Sequence, residues 1–210
     1  MRLRVLFALG VVSAFSQPLS FGIKAGLPLT DLVNATSQGE LDFAVSQTNR
    51  YLIGPTVEFR LPANLAIQFD ALFRHYSYQF GFGPAFGFAL TTATGNAWEF
   101  PLLLKYRLPA RIVRPYIDGG VAWDHVQGLS ATITKATYTG ATTTKTSNPV
   151  ELTNPNTAGV VVGAGVDLHA LFLHISPEVR YTRWTSQHFS FDDELHSNQN
   201  QAEFLLGITF

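Results

Sequence analysis

The chain has 210 residues, and only 14% of them are charged, compared with roughly 25% in an ordinary soluble domain. Apolar residues make up 46% and aromatic residues 13%, which excludes an intrinsically disordered chain and a collagen-like repeat. The chain has no cysteine, which excludes a disulfide scaffold, and its net charge of −1 gives no electrostatic reason to expect nucleic acid as a partner.

The first segment, residues 1–16, predicts a secretory signal peptide. Two arginines precede an apolar stretch from Val5 to Val12, and Ala14 and Ser16 are the small residues expected just before a cleavage site after Ser16. A membrane-spanning helix is the alternative, but about 10 to 14 apolar residues fall short of the ~20 that a bilayer requires. The expected mature domain is residues 17–210.

Beyond the signal peptide, apolar and polar residues alternate in eight segments, as is typical of β-strands with one apolar face. Each has roughly the 9 to 11 residues that a tilted strand needs to cross a bilayer. In chain order the segments are 21–27, 51–61, 65–74, 98–108, 114–124, 158–168, 173–181 and 202–210.

The connections between these segments alternate in length. Three are short: 62–64, 109–113 and 169–170. Four are long: about 30–50, 76–97, 125–157 and 182–200. Hairpins with short turns at one rim and long loops at the other are typical of bacterial membrane barrels. The sequence therefore predicts an all-β fold, an eight-stranded antiparallel up-and-down transmembrane β-barrel.

The competing interpretation is a soluble β-sandwich or lipocalin-like barrel, whose apolar face would point inward. The polar face instead combines bulky ions with many glycines, which suits a tightly filled lumen. Its acids are Glu58, Asp70, Glu99, Asp118, Asp124, Asp167, Glu178 and Glu203. Its bases are Lys24, Arg60, Arg74, Lys105, Arg107, Arg114 and Arg180. Because isolated charges are costly to bury, we expect these groups to pair.

Aromatic residues near the ends of the segments also favour the membrane barrel. Tyr51, Trp98 and Trp123 lie near the long-loop ends, and Tyr106 and Phe210 lie at the short-turn ends. Membrane barrels carry two such interfacial girdles. Trp184 does not fit the apolar set of its segment, and its direction stays open.

The ending EFLLGITF resembles the C-terminal signal of bacterial outer-membrane barrels, with Phe210 last and apolar residues at alternate positions. The segments WEFPLLLKYRL, RPYIDGG and SPEVRYTRW resemble strands of the small outer-membrane β-barrel family that includes OmpX-like and PorT-like proteins. The resemblance covers nearly all of residues 20–210. It implies an eight-stranded barrel in a Gram-negative outer membrane, inserted by the barrel assembly machinery among lipid and lipopolysaccharide.

One group of residues resembles a hydrolase site. His174, Ser176 and Glu178 are the residue types used by small outer-membrane barrels that deacylate lipid A. Alternation turns all three into the lumen, near the short turn, whereas such a site must face lipid at the outer leaflet. Geometry precedes acidity in judging a catalytic base, so a structural pair of His174 with Asp167 is the favoured alternative.

Three connecting segments have unusual compositions. The segment 191–196 combines three acids with His196, and we expect a solvated loop because it lacks the ligand spacing of a calcium site. The Phe-Gly segment 79–90 fits a protruding strand extension that packs over the barrel mouth, or else an exposed aromatic surface. The Thr-rich segment 130–147 indicates a second protruding hairpin or a mobile loop.

We therefore expect a non-enzymatic, monomeric membrane anchor with four long extracellular loops and no catalytic residue, cofactor or metal. The alternative is an adhesin or a secretion or assembly accessory that binds an extracellular partner through segments 80–92 and 130–147. The third possible function is that of a lipid-modifying enzyme.

Overall fold

The computed structural model describes residues 18–30, 33–35, 42–46, 51–82, 87–110, 112–137, 140–147, 154–170, 173–188, 190–191 and 195–210. The expected signal peptide, residues 1–16, lies outside them. Among the described residues, no helix is long and apolar enough to span a membrane.

The described residues form fourteen strands. In chain order they are β1 (Leu19–Pro28), β2 (Val33–Ala35), β3 (Asp42–Ser46), β4 (Leu52–Arg60), β5 (Leu65–Asp70), β6 (Leu72–Phe82), β7 (Gly87–Arg107), β8 (Val113–Thr137), β9 (Gly140–Thr146), β10 (Asn156–Ala170), β11 (Leu173–Trp184), β12 (Ser190–Phe191), β13 (Leu195–Ser197) and β14 (Asn200–Thr209).

Eight of these strand positions close into a ring. Strand β1 pairs with β4, β4 pairs with β5 and β6, and both of these pair with β7. The ring continues through β8, β10, β11 and β14, and β14 pairs back with β1. Strands β5 and β6 are one strand interrupted at Ala71. Every pair is antiparallel, so the predicted eight-stranded up-and-down barrel is confirmed.

The barrel exposes its apolar face and buries its polar face. Ile23 is 60% exposed while the adjacent Lys24 is 2% exposed. All eight acids predicted for the lumen are buried. Among the predicted bases, Lys24, Arg74, Lys105 and Arg180 are buried as well. This inverted arrangement is what alternation predicts when the outer surface faces lipid.

The expected outward aromatic residues lie on the outer surface. Trp123 is 48% exposed, and Trp98 stacks on Phe100 at a ring distance of 6.2 Å. Trp184 points the other way. It is 2% exposed and packs inside the barrel with Leu103, Ala122 and Val161.

On the long-loop side, the sheet that forms the barrel continues past the ring. This extension consists of β3, β9 and the long-loop ends of β6, β7 and β8, and we call it the protruding sheet. Strands β7 and β8 have 21 and 25 residues, about twice the roughly 9–11 residues that cross a bilayer. They continue pairing with β6 and β9, and β3 pairs with β6. The register shifts between Thr94 and Asn96, where Gly128 has a φ of +64°. A bulge with a left-handed glycine bends and twists a strand pair, and this one lies at the base of the protruding sheet.

The predicted strand extension in segment 79–90 is confirmed for the backbone, because Gln79 pairs with Thr92 and Phe82 with Ala89. Residues 83–86 and the phenylalanine side chains of this segment lie outside the described residues. The predicted hairpin within 130–147 is confirmed too, because Ala131 pairs with Thr146.

On the other side, the turns are short, as predicted. Ala63 and Asn64 both have positive φ values, 61° and 62°, as the central residues of a type I′ hairpin turn do. The Asn64 carbonyl accepts a hydrogen bond from the N–H of Arg107 at 2.9 Å. This turn therefore holds the end of β7 beside the start of β5.

Candidate functional site

The middle of the lumen is filled by four buried ions from three strands. Lys24 Nζ lies 3.2 Å from Asp70 Oδ2 and 2.9 Å from Glu178 Oε2. Arg180 Nη2 lies 2.8 Å from Asp70 Oδ2, and its Nε donates to Glu178 Oε1 at 2.8 Å. Each side chain is at most 3% exposed. Two cations and two carboxylates alternate, so this central quartet is electrically balanced.

Neutral groups complete the hydrogen bonding of the two carboxylates. Thr56 Oγ1 donates to Asp70 Oδ1 at 2.6 Å, and Gln68 Nε2 donates to Asp70 as well. The hydroxyl of Tyr116 donates to Glu178 Oε2 at 3.1 Å. Buried charges are tolerated when their remaining lone pairs are satisfied in this way. Thr56 and Gln68 are polar positions that the sequence analysis did not single out.

Glycines on the inner face make room for these side chains. A Cβ on Gly165 would lie 2.5 Å from the hydroxyl of Tyr116, and one on Gly163 would lie 2.4 Å from Asp118 Oδ1. Such distances are far below ordinary van der Waals contact. The pairing of bulky ions with glycine, expected from the sequence, is therefore a packing requirement.

Towards the long loops, the lumen contains a second ionic cluster around Arg74. Its guanidinium pairs with Asp124, donates to Gln201 at 3.0 Å and lies 3.9 Å from Glu203. His188 Nε2 lies 3.0 Å from Asp124 Oδ2. His188 lies in a long connection, where alternation gives a side chain no direction, so its place in the lumen was not predictable from the sequence.

The same cluster contains Glu99, a fully buried acid. Neither of its carboxylate oxygens has a hydrogen-bond partner among the described residues. Within that part of the chain, there is also no group of three or more His, Cys, Asp or Glu side chains arranged to hold a metal ion.

A third ionic cluster lies at the short-turn end. Glu58 pairs with Arg107, and its Oε2 lies 3.4 Å from Lys105 Nζ. Arg107 also pairs with Asp167. Lys105 lies over the ring of Tyr116, 4.0 Å from its centroid, which links this cluster to the central quartet.

Arg114 is an exception to the predicted pairing in the lumen. Its Nε donates to the carbonyl of Ala110 at 3.0 Å in an exposed contact, and it pairs with no carboxylate among the described residues. Arg114 is the second residue of β8 and directly follows the short turn, so it lies at the short-turn mouth of the barrel.

The hydrolase-like residues do not form a catalytic arrangement. Ser176 Oγ donates to Asp167 Oδ1 at 2.6 Å, whereas the near neighbours of His174 are Arg60 and His169. Glu178 belongs to the central quartet. The expected pair of His174 with Asp167 is also wrong, because Ser176 and Arg107 occupy the Asp167 carboxylate. The acidic residues 192–194 lie outside the described residues.

Residues 15–183 match the model of a family described as "Outer membrane protein beta-barrel domain". Among solved structures, the chain is similar to the outer membrane protein OprG from Pseudomonas aeruginosa, at 10% identity and a TM-score of 0.47, over 91% of this chain and 92% of that one.

Two further solved structures are similar. Neisserial surface protein A matches at 10% identity and a TM-score of 0.41, over 91% of this chain and 96% of that one. The N-terminal β-barrel domain of Pseudomonas aeruginosa OprF matches at 12% identity and a TM-score of 0.38, over 92% and 98%. No curated protein matches the chain.

Proposed function

The chain belongs to the outer membrane protein beta-barrel domain family, and from this premise we propose that it is a non-enzymatic membrane anchor with a closed lumen. The observation that carries the proposal is the contact between Arg180 and Asp70 across the barrel interior, at 2.8 Å. An eight-stranded barrel is just wide enough for side chains to fill it. Here the central quartet occupies that space with paired ions.

The proposal sets the orientation of the barrel in a Gram-negative outer membrane. Short turns face the periplasm and longer loops face outward in barrels of this kind. The alternating apolar pattern of β14 supports insertion by the barrel assembly machinery. The proposed mature protein, cleaved after Ser16, is a monomer whose surroundings are lipid and lipopolysaccharide.

The closed lumen is tested by single-channel recording in planar bilayers. We expect no stable large conductance from the refolded wild-type protein, because ions would have to displace the central quartet. A matched sample whose Arg180 is replaced by Ala reports whether the quartet itself blocks flow. Steady openings of porin size in the wild-type protein would contradict the proposal.

A second candidate function, adhesion or assembly through the loops, is favoured by the protruding sheet. Among the described residues, the strand order in the protruding sheet is β3, β6, β7, β8 and β9, so β3 and β9 are its edges there. Strand β9, with the sequence GATTTKT, is exposed along nearly its whole length. An exposed edge strand presents N–H and C=O groups to which a partner strand can add.

Two deletions test this second function. Removing residues 130–147 takes away β9 and the part of β8 that pairs with it. Removing residues 80–92 takes away the paired ends of β6 and β7. Heat-modifiable migration on gels should persist in both variants, because the eight-strand ring is retained. Loss of partner recovery in a pull-down supports the adhesin function, and unchanged recovery excludes these segments as the interface.

A further inference from the structure

We propose that the short-turn mouth of the barrel is a binding site for a phosphate group. This site goes beyond the anchoring function, since it lies at the opposite end from the long loops. The mouth contains a cavity of about 360 Å³. Small-molecule sites usually have volumes of roughly 300–1,000 Å³. Its charged and imidazole-bearing lining residues are Arg60, Arg107, Arg114, Asp167, His169 and His174.

Charge is the first argument for an anion. Three arginines and one aspartate line the cavity, which leaves a net charge of +2 with both histidines neutral. Asp167 is already engaged by Arg107 and by the hydroxyl of Ser176, so it offers little to the other two arginines. The lining therefore has a surplus of positive charge in a concave space.

Arg60 and Arg114 each keep guanidinium N–H groups beyond those that bond to described residues. Arg60 has a long contact with Glu58, 3.5 Å from Nε, and its side chain is 33% exposed. Arg114 donates one hydrogen bond to the Ala110 carbonyl and pairs with no carboxylate of the described chain. A guanidinium carries five N–H donors in a planar fork that matches the oxygens of phosphate.

His174 supplies a further donor. Its Nδ1 lies 3.0 Å from Arg60 Nη2. Arginine can only donate, so Nδ1 must accept, and a neutral imidazole then carries its proton on Nε2. The His169 ring lies beside it, 3.9 Å between centroids, in the same cavity. In this tautomer, His174 has one N–H donor, at Nε2, and adds no charge to the cavity.

The cavity adjoins a second depression that reaches an exposed apolar residue. A neighbouring depression of about 430 Å³ shares Asn64, Arg107 and Arg114 with it and extends to Leu108. Leu108 is 48% exposed on the outer surface. A phosphate at Arg114 could therefore belong to a lipid headgroup, with its chains along the barrel wall, or to free phosphate from solution.

Two arms of one experiment separate these sources. In a phosphate-free glucoside detergent, inorganic phosphate is titrated by calorimetry against chloride of equal ionic strength. In the other arm, native mass spectrometry counts adducts of phosphatidylglycerol and of a phosphate-free galactolipid. Both use the wild-type protein, the double variant Arg60→Gln/Arg114→Gln, and Arg183→Gln, which removes an exposed arginine at the long-loop end.

We expect phosphate binding to weaken by at least about tenfold in the double variant and to be unchanged in Arg183→Gln. Preferential adducts of phosphatidylglycerol that the double variant loses identify a headgroup, and binding of inorganic phosphate alone identifies free phosphate. If neither binds, or if binding survives in the double variant, the proposal is wrong. Should the double variant fail to fold, Arg114→Gln alone gives the same comparison, because Arg114 pairs with no described carboxylate.

Discussion

Arg180 on β11 and Asp70 on β5 lie on opposite sides of the eight-strand ring, yet Nη2 and Oδ2 are 2.8 Å apart. The two residues are 110 positions apart in the chain. Their contact joins the two halves of the barrel through its interior, and both groups are fully buried. The stability of the barrel should therefore depend on this pair.

Replacing Arg180 by Met should destabilise the barrel strongly. The change leaves Asp70 and Glu178 buried with Lys24 as their only partner in the central quartet, and breaking one side of a buried ion pair costs roughly 3–5 kcal/mol. Guanidinium unfolding in detergent micelles, followed by tryptophan fluorescence, measures the free energy of unfolding.

Two further variants test whether that loss of stability comes from the unpaired buried charge. Arg183→Met removes an exposed arginine from the same strand and should change stability little. Adding Asp70→Leu to Arg180→Met leaves Lys24 and Glu178 as a balanced pair at 2.9 Å, so part of the stability should return. Equal losses in Arg180→Met and Arg183→Met would mean that the quartet contributes no specific stability.

Gly165→Ala should hinder folding, whereas Gly207→Ala should not. The added Cβ at Gly165 would lie 2.5 Å from both Tyr116 and the Pro177 carbonyl, but at Gly207 the nearest atom would be 3.6 Å away. Overpacking of this kind costs about 1–3 kcal/mol. Unfolding midpoints of the two variants provide the comparison, and similar midpoints would show that the lumen has room beside Tyr116.

The direction of each tryptophan can be measured by quenching with brominated lipids. Trp123 is 48% exposed on the outer surface and Trp184 is 2% exposed inside. In variants that keep a single tryptophan, with Phe at the other two positions, Trp123 should be quenched strongly and Trp184 weakly. The opposite order would contradict the inverted barrel.

Ser176→Ala should lower stability without changing membrane lipids. The variant removes the 2.6 Å hydrogen bond to Asp167, and an unsatisfied buried acceptor costs roughly 1–3 kcal/mol, here near the lower end because Arg107 remains. Lipid A profiles of cells that express wild-type protein or the variant should be identical. Deacylated lipid A in wild-type cells alone would show that Ser176 has a catalytic role.

The sequence was sufficient to predict the barrel because strand alternation is a local property. Successive side chains point to opposite faces, so Ile23 and Lys24 could be assigned to the two faces from their order alone. Trp184 shows the strength of this rule. Alternation already places it with Thr182 on the inner face, and only its aromatic character suggested otherwise.

Tertiary structure alone decided which groups meet inside the lumen. Alternation gives a side chain its face but not its height, and height depends on the stagger of neighbouring strands. Asp167 lies diagonal to His174 across β10 and β11, as the tight turn predicts, but its carboxylate pairs with Arg107 from β7. Arg114 lies at the mouth instead of in the ion network. The sequence determined that the charges are inside; the closure of the ring, which brings Lys24 and Glu178 together across 154 positions, decided their partners.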